Sequence, residues 1–363
     1  MEEIKQFEIN RKQVSGLGKV NFDNLPFGRI ISDHMFTAEY RDGKWQDFKI
    51  EPYGPMQVFP AMISLHYAQA IFEGLKAYKN NAAEVVLFRP DENAARFARS
   101  AQRLCMPVFP EDVFVEAVAQ LVGLDRDWVP GSAQGSLYIR PHMFGIDEYI
   151  GVQPSQNYRF IIFTSPSGAY FSRPTRMKIE DTYARACQGG LGAAKAGANY
   201  AAALYPTKLA VEQGFDQVIW TDPNDHKHIE EAGTMNIFVR LNDELVTPPL
   251  NDTILDGITR KSVITLAHDL GIKVTERKVS VEEILEGARN CDLKEAFGAG
   301  TAAVIQDIAE IGYKDQVFKL PTTPSGEAFS SQIRKSLELI RSGEAADTHN
   351  WIRKVRELDL KEV

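Results

Sequence analysis

GGLGAAKAGANY, residues 189–200, is the stretch on which the reading of this chain turns. Four glycines and four alanines surround one lysine, Lys195, and no carboxylate accompanies it. Solvated lysines usually sit among other polar groups. A lysine among small residues is either an exposed tether or a partly desolvated amine. An unperturbed lysine amine, with a pKa of about 10.4, is protonated at neutral pH. Desolvation or a neighbouring cation frees its lone pair for nucleophilic work on a carbonyl. The stretch alone leaves both readings open.

Around this loop, helices and strands interleave. The pattern predicts strands near 177–185, 216–221, 235–240, 244–247, 273–279, 294–298 and 316–319. It predicts helices at about 199–213, 259–270 and 326–342. In the second of these Val263, Leu266, Ala267 and Leu270 share a face, and Gly271 is a stop signal. Connections as short as Leu241-Asn242-Asp243 favour an α+β fold with mixed sheets over a doubly wound sheet. Residues 1–60 read as irregular, with Pro26, Pro52, Pro55 and Pro60 marking turns. After Pro90 and a candidate N-cap at Asp91, a helical stripe runs through Ala94, Phe97, Ala98, Ala101, Leu104 and Cys105. Arg96 lies opposite that stripe, a position that points to solvent. A second helix shows Val113, Phe114, Ala117, Val118, Leu121 and Val122 on one face. SLYIRPHMF (136–144) and NYRFIIFT (157–164) read as strands, and SPSGAYFSRPTR (165–176) as an interdomain linker.

Three further segments suit chemistry. HIEEAGTMNIFV (228–239) sets two carboxylates before a small-residue turn and a strand; Glu230 reads as part of a solvated hairpin, and Glu231 stands just before the strand. LDGITRKS (255–262) puts a glycine and free backbone N–H groups at a helix start, a place suited to an anion. GAGTAAV (298–304) offers a second Gly-rich turn with a hydroxyl at Thr301.

The 363 residues, 44% hydrophobic and 25% charged, suffice for about two domains with sizeable cores, which excludes bulk disorder. No apolar run approaches the ~18–20 residues of a membrane helix. The opening MEEIKQFEINRKQ carries no secretory signal. A net charge of −8 argues against nucleic acid. Cys105, Cys187 and Cys291 form no metal-ligand or CxxC spacing, so no metal site is expected and the thiols read as free in a reducing compartment. The expectation is a soluble cytoplasmic protein.

Taken together, AAKAGANY, IEEAGTMNIF, LDGITR and FGAGTAA resemble the branched-chain-amino-acid aminotransferases, class IV pyridoxal-phosphate enzymes of fold type IV. The N-terminal half agrees, in DHMF (34–37), LHYAQAIFEGLKAY (65–78), SAQRLCMP (100–107), DWVP (127–130) and SLYIRP (136–141). The resemblance covers nearly the whole chain in order. It implies two domains: a smaller N-terminal α/β domain over 1–165, a linker at 166–176, and a larger cofactor-binding domain over 177–363 with a barrel-like mixed sheet and flanking helices.

The resemblance also implies roles. Lys195 would bind the aldehyde of pyridoxal 5′-phosphate and then shuttle the substrate proton. Tyr200 would hydrogen-bond the phenolic oxygen, Glu231 would pair with the ring nitrogen, and Leu255 would pack on the ring. Arg96, Arg185, Ile258, Thr259 and Thr301 would hold the phosphate. Phe27, Tyr67, Phe72, Tyr138 and Tyr170 would wall the substrate pocket. Thr234 and the backbone at Ala302 would receive the substrate carboxylate, and Arg140 the second carboxylate of glutamate or 2-oxoglutarate. The family works as a homodimer, with a loop near Ile150 and Val152 closing the partner's pocket. Where the family often has GGNY, Ala198 replaces the second glycine, and GTAAVIQ lacks the redox CxxC of animal members. D-amino-acid aminotransferases, amine transaminases and aminodeoxychorismate lyases share the lysine and glutamate segments but generally not the N-terminal set.

Overall fold

Ser136–Gly145 and Tyr158–Ser167 are rich in β-branched and aromatic residues, and they pair antiparallel as the two longest strands of one sheet. The computed structural model describes residues 7–168, 170–324 and 326–357. The chain divides into two compact units. One comprises Met1–Tyr170, Lys195–Ala198 and Leu339–Val363; the other comprises Phe171–Ala194 and Asn199–Glu338. Neither is a single stretch, and the segment that bears Lys195 groups with the first.

The first unit holds β1 (Glu8–Ile9), β2 (His34–Arg41), β3 (Lys44–Pro52), β4 (Ala70–Phe72), β5 (Leu75–Lys79), β6 (Val85–Phe88), β7 (Ser136–Gly145) and β8 (Tyr158–Ser167), together with the last strand among the described residues, β18 (Ile352–Lys354). Their order is β1-β3-β2-β8-β7-β5-β6-β18, with β4 also on β7. Helices α1 (Ile63–Tyr67), α2 (Pro90–Arg103) and α3 (Glu111–Leu124) belong here too. Phe97 and Ala101 of α2 and Val118 and Leu121 of α3 join Phe36, Leu75, Ala77, Leu137, Ile139 and Phe160 in one core. The first sixty residues are not irregular: β2 and β3 form a hairpin, and Pro52 merely ends β3. The N-cap of α2 is Arg89, with Pro90 at its first position, so Asp91 lies inside the first turn.

The second unit carries β9 (Thr175–Ile179), β10 (Gln217–Thr221), β11 (Ile229–Ala232), β12 (Met235–Leu241), β13 (Glu244–Thr247), β14 (Lys273–Glu276), β15 (Leu293–Gly300), β16 (Val304–Tyr313) and β17 (Gln316–Lys319). The ring β11-β10-β9-β16-β15-β12 closes through β11–β12 pairing, which removes both edges of a six-stranded barrel. Helices α5 (Ile258–Asp269) and α6 (Val281–Asn290) flank it. Helices α4 (Gly197–Glu212) and α7 (Phe329–Ser342) complete the described set. Met177, Ile219, Ile237, Val239, Ile308 and Ile311 lie in its core. β11, β16 and α6 are elements that the periodicity did not indicate.

Candidate active site

In the first unit Lys195 is fixed by its backbone. Its N–H donates to Ser100 Oγ at 3.0 Å, and its carbonyl accepts from Phe72 N–H at 3.1 Å. The amine stands 4.9 Å from the Phe72 ring centre. Arg140 stacks on the same ring at 4.5 Å and donates to Tyr138 Oη at 2.9 Å. The Phe27 ring meets Tyr138 and Tyr170 edge-on, at 4.9 and 4.8 Å. Gly74 permits this arrangement, because an added Cβ would strike the Tyr138 hydroxyl. Five residues of the substrate set (Phe27, Phe72, Tyr138, Arg140 and Tyr170) therefore form one cluster with Lys195. Tyr67 lies on α1, exposed, with its ring toward His66. Burial, and secondarily Tyr138, push the Tyr170 phenol above its ordinary range.

Arg96 is not in solvent. Its side chain is buried, with Nε donating to Glu73 Oε1 at 2.7 Å and Nη2 to Oε2 at 2.8 Å. Asn93 Nδ2 donates to Glu73 Oε2 at 2.7 Å. The face of α2 opposite its apolar stripe is thus an inner polar stripe, Asn93, Arg96 and Ser100, rather than a wet surface. Burial alone would raise the Glu73 carboxyl; the Arg96 charge and hydrogen bonds, then Lys195 and Asn93, reverse it and hold it below the usual range.

In the second unit the buried Glu231 lies within β11, not before a strand, opposite Asn236 of β12. Its Oε2 meets Arg185 Nε at 2.9 Å, and Oε1 accepts from Leu255 N–H at 3.0 Å and Asn236 Nδ2 at 3.3 Å. Arg185 also donates to the carbonyls of Gly192 and Thr253. The guanidinium therefore orients Glu231 and ties it to the glycine-rich loop; its phosphate contact is what the resemblance implies. Glu230 is buried too, against the solvated-hairpin expectation. It accepts from Thr253 Oγ1 at 2.5 Å, and burial pushes its carboxyl up.

At the start of α5, Gly257 is the N-cap with no side chain satisfying the first turn, and Ile258 and Thr259 behind it are buried. A Cβ at Gly257 would overlap Asn236 Oδ1, so this approach requires glycine. The first-turn N–H groups of such a helix have no partner within it. Thr301 and Ala302 lie in the three-residue connection between β15 and β16, closed by the Gly300–Val304 pair. Thr234 is exposed on the two-residue β11–β12 turn, beside Gly233 at φ +58°. Leu255 is half-buried, and Tyr200 is half-buried in the first turn of α4.

Glu73, Asn93, Ser100 and Asn236 are site residues that the sequence reading passed over. A signal existed for two of them: Asn93 and Ser100 stand three before and four after Arg96, one helical face.

The family described as amino-transferase class IV matches residues 70–311. "Branched-chain-amino-acid aminotransferase 2" of Bacillus subtilis is 41% identical over 93% of this chain and 93% of its own length. "Branched-chain-amino-acid aminotransferase" of Mycobacterium tuberculosis is 42% identical over 90% and 91%. Among solved structures, a branched-chain aminotransferase of Thermoproteus uzoniensis, crystallised with norvaline, superposes at a TM-score of 0.73 with 26% identity, covering 88% of this chain and 100% of that one. The chain belongs to the class IV aminotransferases, pyridoxal-phosphate-dependent transferases, within their branched-chain-amino-acid branch.

Proposed function

We propose that this chain transfers the amino group of L-leucine, L-isoleucine or L-valine to 2-oxoglutarate, reversibly and by a ping-pong course, giving the branched 2-oxo acid and L-glutamate. The observation that carries this reading is the Phe72 ring, which holds the Lys195 amine and the Arg140 guanidinium together among aromatic walls.

The residues fit pyridoxal 5′-phosphate. The first unit offers an amine; the second, taken by itself, offers a buried carboxylate with a paired guanidinium and a helix start that only glycine allows. Lys195 would hold the aldehyde, Tyr200 the phenolic oxygen and Glu231 the ring nitrogen, with Leu255 on the ring face. Arg96, the N–H groups of Ile258 and Thr259, and Thr301 would hold the phosphate, while Arg185 keeps Glu231 aimed. The bound group supplies an electron sink for the substrate's Cα. Lys195 Nζ then takes the Cα proton and returns it on the acceptor side. Thr234 and the backbone at Ala302 receive the substrate carboxylate. Phe27, Tyr67, Phe72, Tyr138 and Tyr170 favour an aliphatic side chain by about 0.8 kcal/mol per buried CH₂. Arg140 donates to the distal carboxylate of glutamate, the group that distinguishes it from the branched substrates.

We further read the active form as a cytoplasmic homodimer. Ile150 and Val152, 69% and 89% exposed in one chain, would cover the second chain's pocket. Among the described residues no helix is long and apolar enough to cross a membrane. The test is a substrate panel on purified protein with added pyridoxal phosphate. L-leucine with 2-oxoglutarate turns over, and borohydride fixes the cofactor on Lys195. Turnover of D-alanine with none of L-leucine overturns the assignment.

A further inference from the structure

Lys195 is reached by two routes that both begin at Glu73. The first runs through the end of β4: Phe72, the residue just before Glu73, donates its N–H to the Lys195 carbonyl and places its ring under the lysine amine. The second runs through α2. Arg96 and Asn93 bind the Glu73 carboxylate, and one turn beyond Arg96 Ser100 accepts the Lys195 N–H. Glu73 is fully enclosed and also accepts from Gly74 N–H at 3.1 Å. A buried carboxylate taking this many donors is far better ordered than one held by a single cation. Its charge is felt at Lys195 as well as at Arg96.

We propose that Glu73 is the positioning residue of Lys195: it locks α2 to β4 through Arg96 and Asn93, and its charge sets the field at the lysine amine. The inference rests on the transaminase reading for its consequence, but not for its geometry. A carboxylate serving only to neutralise Arg96 could sit on any strand facing the helix. Here it sits one residue from the ring that carries the lysine.

The test is Glu73→Gln, examined first as apoprotein. Lys195 is acylated with acetic anhydride at pH 8 and quantified by peptide mass spectrometry. Removing the negative charge and leaving Arg96 speeds acylation about tenfold, the equivalent of one pH unit. In the holoenzyme the pH at which the visible band titrates falls by about one unit. Glu73→Asp, which keeps the charge, returns both readouts toward wild type. A folded E73Q protein with wild-type acylation and band overturns the proposal. Should E73Q not fold, Arg96→Gln reads the same field with opposite sign: acylation at pH 8 slows, and an unchanged rate overturns the idea. Because acylation needs no cofactor, the two readings fail separately. A chain that shows the acylation shift but never becomes coloured sinks the transaminase reading. A coloured, active chain without the shift sinks the role of Glu73.

Discussion

Replacing Glu231 by glutamine isolates one buried charge. The glutamine oxygen can still accept from Leu255 N–H and Asn236 Nδ2, so those two bonds survive. What is lost is the contact at 2.9 Å with Arg185 Nε, where the new amide would turn a donor toward a donor. A charge-assisted bond in such a place contributes about 1.5–3 kcal/mol. Breaking a fully buried pair costs about 3–5 kcal/mol. Arg185 keeps its carbonyl partners at Gly192 and Thr253, which places E231Q below that range, at about 2–3 kcal/mol. Arg185→Gln loses the same ion pair and the carbonyl bonds, and should cost about 2–4 kcal/mol. The double variant lets two amides face each other, so the losses should fall short of additivity by about 1.5–3 kcal/mol. Urea unfolding of the apoproteins measures all four corners of the cycle. The same E231Q protein, loaded with cofactor, should keep its colour yet lose turnover at least about a hundredfold, since a neutral amide cannot hold a ring proton. Additive losses would refute the placement of Arg185 on Glu231 and favour a direct anion contact. Wild-type turnover in E231Q would refute the role of the carboxylate.

Arg140→Gln should lower kcat/KM for 2-oxoglutarate about a hundredfold while the half-reaction with L-leucine changes less than about threefold; equal losses on both sides would contradict a role confined to the second carboxylate. Lys76→Met should stabilise the fold most below pH 7. Burial first, and the Arg341 charge second, lower the Lys76 amine to about 7. Between about 7 and 10.4 the unfolded chain carries the extra proton, so native stability rises with pH through that window, and the variant's advantage fades toward pH 10. A denaturation midpoint difference independent of pH would refute it. Val304 is a β-branched residue at φ +63° at the base of the turn bearing Thr301 and Ala302. Val304→Gly should relieve about 1–2 kcal/mol of left-handed strain and return about 0.5–1 kcal/mol of it through glycine's chain entropy. The expected result is a slightly more stable protein with a looser turn and lower kcat; a destabilised variant would count against the strain argument.

Where a helix turns one face to the core, its apolar period showed it, as in α2, α3 and α5; β7 and β8, buried on both faces, were marked instead by their β-branched and aromatic residues. The failures have physical causes. β2 and β3 were hidden because prolines were read as turn markers, yet Pro52 closes a strand and Pro55 and Pro60 lie beyond it. β16 carries Ile305, Ile308 and Ile311 buried at intervals of three, a spacing foreign to a strand. A bulge accounts for the second interval: pairing with β9 shifts register between Ile308 and Glu310 and re-aims the side chains that follow. β11 inverts the usual code altogether, since Glu230 and Glu231 are both buried.

The resemblance named the candidate site, and the residues alone gave less because its polar groups occupy positions that simple patterning assigns to water. Arg96 is the plainest case. Opposite an apolar stripe, an arginine belongs in solvent unless some other element brings it a counter-charge. Glu73 does so from the two-residue link between β4 and β5, and neither residue signals the other in sequence. Once they are paired, the rest follows by helix geometry: a side chain three before Arg96 and another four after it must face the same way. Asn93 and Ser100 are therefore the residues to seek whenever a helix arginine is found inside. Asn93→Leu offers a direct check on this logic. It keeps the branched shape but takes one donor from Glu73 Oε2 and one from the Gly74 carbonyl, leaving the bonds of Arg96 and Gly74 N–H to Glu73. The loss should be about 1–3 kcal/mol. If the face were merely a packed surface, the substitution would be neutral or stabilising, and urea midpoints separate the two outcomes.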